Sequence, residues 1–133
     1  KRDINYMNEI LNIIEEKELK NILEINPNIK ELSENEIKMS LNLLEQIGCN
    51  ERHIRNIITC NPFYLNRSIN DLVKLIRKLQ SLGITALNIT FDSNPYLLNK
   101  DSYEIDEFIE QKKNEAISLE DIINMIDAGM YEE

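Results

Sequence analysis

Three Asn-Pro dipeptides, Asn26-Pro27, Asn61-Pro62 and Asn94-Pro95, punctuate this chain, and their prolines stand 35 and 33 residues apart. Proline breaks a regular helix and pushes the residue before it out of helical geometry. Its recurrence at a near-constant interval therefore marks a repeated unit, broken at the same place in each copy. The flanking residues repeat too. An apolar side chain, Ile29, Tyr64 or Leu97, follows each proline by two positions. Six positions after each proline stands a helix cap, Ser33, Ser68 or Asp101, and three residues later an acid, Glu36, Asp71 or Glu104. In such a capping box the first side chain takes the backbone N–H of the third helical residue, and the acid reaches back to the cap. Each cap is worth about 1 kcal/mol.

The helices behind the caps match. Ile37, Leu41, Leu44 and Ile47, ended by Gly48, recur 35 residues later as Leu72, Ile76, Leu79 and Leu82, ended by Gly83. Spacings of four and three keep these side chains on one helical face, and glycine supplies the left-handed residue that stops the helix. The third copy keeps Ile105 and Ile109, loses the pattern at Lys112 and has no terminal glycine. A shorter helix opens each copy. Leu19, Ile22 and Leu23 mark the first, Ile54, Ile57 and Ile58 behind Asn50 the second, and Leu87, Thr90 and Phe91 behind Thr85 the third. Ser118, Ile122, Met125, Ile126 and Gly129 begin a fourth, and an amphipathic stretch from Ile4 to Ile14 precedes the first. One helix pair cannot bury its apolar face, whereas stacked pairs can. The expected fold is all-α: a single domain over 1–133, with an N-terminal helix over 3–17, about three helix–turn–helix repeats over 18–49, 50–84 and 85–114, and a capping helix over 118–129.

Composition agrees with a helical stack. The chain is 42% hydrophobic but only 6% aromatic and lacks Trp, so the core is expected to be Ile and Leu. No apolar run approaches the roughly 20 residues that span a bilayer. The opening Lys1-Arg2-Asp3-Ile4-Asn5 leads into a helix with charges and not into the apolar block of a signal peptide, and two cysteines make no disulfide framework, so the expected compartment is the cytoplasm. Opening on Lys rather than Met is the expected mark of a piece of a longer product. The net charge of −9 is uneven. Residues 1–50 hold 6 basic and 10 acidic side chains, 51–100 hold 7 and 3, and 101–133 hold 2 and 11. Only the middle third offers a phosphate a favourable field.

The pattern of capped short helix, Pro-x-x-Leu turn, capped longer helix and Leu-x-x-Leu-Gly ending resembles the repeat of the mitochondrial transcription termination factor (mTERF) family. The resemblance is best from Leu44-Glu45-Gln46-Ile47-Gly48 through Ile57-Ile58-Thr59-Cys60-Asn61-Pro62-Phe63-Tyr64-Leu65 to Leu79-Gln80-Ser81-Leu82-Gly83-Ile84, with a second turn at Pro95-Tyr96-Leu97-Leu98. It covers about residues 18–127, and Lys30 departs from it where Leu is expected. The resemblance implies a right-handed α-solenoid that binds nucleic acid, in a family that regulates organellar transcription or translation.

Candidate chemistry is sparse. Cys49, Cys60 and His53 are zinc-ligand types, yet the repeat aligns Cys49 with Ile84 and Cys60 with Ile25 and Ser93, which reads the cysteines as small, partly buried fillers, and it aligns His53 with Ala86, a helix position beside the core face. Cys49 and His53 lack an orienting third group, and no phosphate loop is present, so neither enzyme, metal nor cofactor is expected. The cations of the middle repeat are the candidate site: Arg52, Arg55, Arg67, Lys74, Arg77 and Lys78, with Phe63 or Tyr64 available to stack a base. Asp106, Glu107, Glu110 and Glu115 keep the C-terminal end soluble, face a basic partner or mask the cations, and Tyr131-Glu132-Glu133 is expected to fray. The expected function is a non-catalytic nucleic-acid-binding module. The alternative is a protein-interaction scaffold whose acidic solenoid surface binds a helix or peptide. Neither a membrane nor a small-molecule substrate is expected as a partner.

Overall fold

The computed structural model describes residues 8–131. Its helices are α1 (Asn8–Leu11), α2 (Glu16–Ile25), α3 (Glu34–Gln46), α4 (Glu51–Cys60), α5 (Ile69–Ser81), α6 (Leu87–Ser93), α7 (Ser102–Asn114) and α8 (Leu119–Asp127). Three 3-10 turns, Pro27–Glu31, Pro62–Asn66 and Pro95–Asn99, each with proline at its first position, join α2 to α3, α4 to α5 and α6 to α7. No strand occurs among the described residues. The protein is a helical-repeat solenoid.

Each short helix stops one residue before an Asn-Pro asparagine. Asn26, Asn61 and Asn94 share one conformation, with φ of −133°, −133° and −134°. That conformation lies outside helical geometry, which a following proline disfavours for the residue before it. The apolar residue two beyond each proline, Ile29, Tyr64 or Leu97, is fully buried. Ser33 and Glu36 close a reciprocal cap on α3, with bonds of 3.1 and 2.8 Å. Ser68 accepts the Asp71 N–H, and Glu104 accepts the Asp101 N–H at 2.8 Å.

The helices form two layers. Short helices α2, α4 and α6 pack side by side, and α8 continues their row through bonds to α6. Long helices α3, α5 and α7 make the other layer, with α1 packed on α3 and α5 on α7. Ile and Leu dominate the core between the layers, and Tyr64, Phe91 and Phe108 are its buried aromatics.

Three expectations need correction, and the stop without a glycine has a substitute. Of the N-terminal helix over 3–17, residues 3–7 lie outside the described ones, and the remainder is not continuous. The chain turns after Leu11, buries Ile14, and starts α2 behind Glu15, whose N–H bonds to Glu18 Oε1 at 3.0 Å. Glu does there what Ser or Asp does elsewhere. Helix α6 is capped by Ala86 rather than Thr85, and no side chain completes the cap. The missing third glycine is replaced by Ala116, which takes a φ of 64°. Tyr131 is half-buried, with Lys100 Nζ 5.6 Å from its ring centre, while Glu132 and Glu133 lie outside the described residues.

Candidate nucleic-acid interface

The structure splits the six candidate cations between the layers. Arg52 and Arg55 lie on the exposed face of α4 and line an open groove with Asn56, Thr59 and Asp92. Asn56 Nδ2 donates to the Asp92 carbonyl and carboxylate, both at 2.9 Å, which holds the groove wall between α4 and α6. Arg55 Nη2 is 3.0 Å from the Glu18 carboxylate on α2. The Glu15 N–H bond is the main cause that lowers the Glu18 pKa, and Arg55 adds to it against the opposing effect of burial. Arg52 is exposed and makes no ion pair among the described residues.

Lys17 and Lys20 belong to this surface, and reading the cations within one repeat missed them. They stand 35 residues before Arg52 and Arg55, on α2, which packs against α4. All four side chains are exposed, making a two-by-two array in register with the repeat. The 35-residue displacement that aligned the core residues was the signal. Lys20 is 3.8 Å from Glu16, an exposed pair of little strength. The array thus combines two loosely or strongly paired cations, Lys20 and Arg55, with two free of ion pairs among the described residues, Lys17 and Arg52.

The other candidates lie elsewhere. Lys74, Arg77 and Lys78 are on α5, in the long-helix layer, and Lys78 Nζ pairs with Asp106 of α7 at 2.8 Å. Arg67 is a clamp between repeats. Its guanidinium donates to the Leu98 and Lys100 carbonyls at 2.9 and 2.8 Å and is 3.0 Å from Asp101. Tyr64 cannot stack a base, because it is fully buried and its hydroxyl donates to the Ser40 carbonyl at 2.6 Å. Burial, then the nearby Cys49 thiol, pushes its pKa up. Phe63 is 44% exposed.

The cysteines and histidine do not converge on a site. Cys49 is buried, and burial followed by the charge of Asp92 pushes its thiol up to about 11. Cys60 is exposed rather than partly buried, and its thiol points at Asn56 Oδ1, 3.4 Å away. His53 completes the cap of α4: its N–H donates to Asn50 Oδ1 at 2.8 Å, and its Nδ1 accepts the Asn50 N–H at 3.1 Å. Among the described residues no group of His, Cys, Asp or Glu is placed to hold a metal ion, and no helix is long and apolar enough to cross a membrane.

Comparison with curated proteins and with solved structures finds no match. Comparison with family models finds mTERF, matched over residues 1–128. That span contains every Asn-Pro turn, every long helix and the capped start of the fourth short helix. The chain belongs to the mTERF family.

Proposed function

We propose that this chain is a non-catalytic nucleic-acid-binding module that contacts phosphates through the short-helix layer. The observation that carries the reading is the array of Lys17, Lys20, Arg52 and Arg55 on adjoining helices. Repeated cations on stacked elements meet a repeating polyanion in register, and phosphate contacts supply most of non-specific affinity. The groove beside Arg52 and Arg55 adds the amide of Asn56 and the hydroxyl of Thr59 to the same face. Family membership supports nucleic acid as the ligand. The non-catalytic part rests on side-chain chemistry: the Cys49 thiol is buried and the His53 Nδ1 is engaged in a cap.

Binding to random single- and double-stranded DNA and RNA across a salt series tests the reading. Neutralising four phosphates gives a log–log salt slope of roughly −3 to −4. Arg52→Glu with Arg55→Glu is expected to abolish binding, while Lys74→Glu with Arg77→Glu leaves it unchanged. No binding at low salt, or loss only in the second variant, overturns it.

A protein-interaction role is the second reading. It is favoured by the outer face of the long helices, where exposed Met39 and Tyr103 stand among charged stripes.

A further inference from the structure

The outward ridges of the three long helices carry the same four positions in register. On α3 they are Asn35, Met39, Asn42 and Gln46; on α5, Asn70, Lys74, Arg77 and Ser81; on α7, Tyr103, Glu107, Glu110 and Asn114. The offsets are those of the prolines, 35 and then 33, and all twelve residues are exposed. Successive ridges are therefore neutral, basic and acidic. Lys74 and Arg77 are three residues apart, and so are Glu107 and Glu110, so each pair lies on one helical stripe. None of these four charged side chains makes an ion pair among the described residues. The neighbouring pair of Lys78 and Asp106 is already closed at 2.8 Å along the α5–α7 seam.

We propose that this face is an interface with a second copy of the chain. A twofold axis parallel to the helices, running between α5 and α7, lays α5 of each copy on α7 of the other. Residues at one level then meet: Lys74 opposite the partner's Glu107, Arg77 opposite the partner's Glu110, and Asn70 opposite the partner's Tyr103. Each contact occurs twice, so the surface is complementary to itself, as an isologous dimer requires. Helices α5 and α7 are 13 residues each, about 20 Å long at 1.5 Å per residue. Two of them make a small, polar contact, at the low end of specific interfaces. The dimer is accordingly weak and salt-sensitive. The inference does not depend on the nucleic-acid reading, because it uses the opposite layer and is tested without nucleic acid.

Sedimentation equilibrium over a concentration series is the test. At about 20 mM salt the mass is expected to rise from 15.6 kDa towards twice that value, and at about 500 mM salt to stay at the monomer. Two double variants reverse one stripe each: Lys74→Glu with Arg77→Glu, and Glu107→Lys with Glu110→Lys. Either variant alone carries two stripes of one sign and is expected to remain monomeric. Mixed in equal amounts, they restore opposite signs at both contacts, and a heterodimer is expected to form. A wild-type chain that stays monomeric at low salt overturns the proposal. So does a mixture that stays monomeric while both variants keep the wild-type helical circular dichroism, or a single variant that dimerises as the wild type does.

Discussion

At φ of 64°, Ala116 holds a backbone conformation that the chain elsewhere gives to glycine: Gly48, Gly83 and Gly129 have φ of 100°, 91° and 81°. The bonding at each stop is the same. The N–H one past the left-handed residue donates five back, Cys49 to Leu44, Ile84 to Leu79, Ile117 to Lys112 and Met130 to Met125. Left-handed geometry costs an L-residue about 1 kcal/mol, because Cβ crowds the carbonyl. Ala116→Gly is thus expected to stabilise the protein by up to about 1 kcal/mol in urea unfolding, less the greater freedom of glycine in the unfolded chain. Gly83→Ala is expected to cost a similar amount, purely from backbone strain, since nothing lies within 4 Å of the added Cβ. Opposite signs at equivalent positions are the check. The cysteines give a second residue-scale prediction. Cys60 is expected to react with a thiol reagent at neutral pH at least about 100-fold faster than buried Cys49. Cys49 also links stability to alkaline pH. Its thiol ionises near 11 when folded, against an ordinary 9.0, so the folded state keeps a proton that the unfolded state releases. The stability is fully present below pH 9 and is lost as pH rises towards 11. The urea midpoint is expected to fall across that window, and Cys49→Ala to lessen the fall.

Between elements, the asparagines of the Asn-Pro dipeptides do more than precede proline. Asn26 Nδ2 donates to the Pro62 carbonyl at 3.2 Å and to Asn66 Oδ1 at 2.8 Å. One repeat on, Asn61 Nδ2 donates to the Pro95 carbonyl at 2.9 Å and to Asn99 Oδ1 at 3.0 Å, and Asn99 returns a bond to Asn61 Oδ1 at 3.1 Å. Asn94, at the last rung, donates to the Asp127 carbonyl of α8 at 3.0 Å. Each turn is thus bonded to the next through buried or half-buried amides. Asn61→Ala strips the Pro95 carbonyl and Asn99 of their partners, and is expected to cost about 2–3 kcal/mol in urea unfolding. These elements also show what was legible in the sequence. The caps of the long helices, the turn prolines and three terminal glycines act within a few residues of themselves, so their periodicity was enough to find them. The rungs, the Arg67 clamp and the buried Tyr64 hydroxyl act between repeats, across 24 to 40 residues of chain. Local pattern carries no sign of such partners. The cations divide in the same way: only the layering separates Lys74, Arg77 and Lys78 from Arg52 and Arg55.

Over the whole molecule, stability is shared between the repeats and the contacts that join them, as in any nearest-neighbour stack. The joint between the second and third repeats is rich in named bonds: Asn61 to Pro95 and Asn99, Asn56 to Asp92, and Arg67 to Leu98, Lys100 and Asp101. Weakening it by Asn61→Ala with Arg67→Met is expected to split one unfolding transition into two. Urea titration read by circular dichroism and by hydrogen exchange checks this, with residues after about 85 opening first. A single shared midpoint for both halves would count against it. The turn proline has one more consequence, on the scale of the protein's lifetime. Asparagine ages by deamidation when the backbone nitrogen of the next residue attacks its side chain, and proline has no N–H with which to do so. Asn26, Asn61 and Asn94 are each followed by proline. Conversion to aspartate would replace an amide donor by a carboxylate facing a carbonyl, undoing a rung. The residue that ends each short helix therefore also shields, from chemical wear, the side chain that ties that repeat to its neighbour.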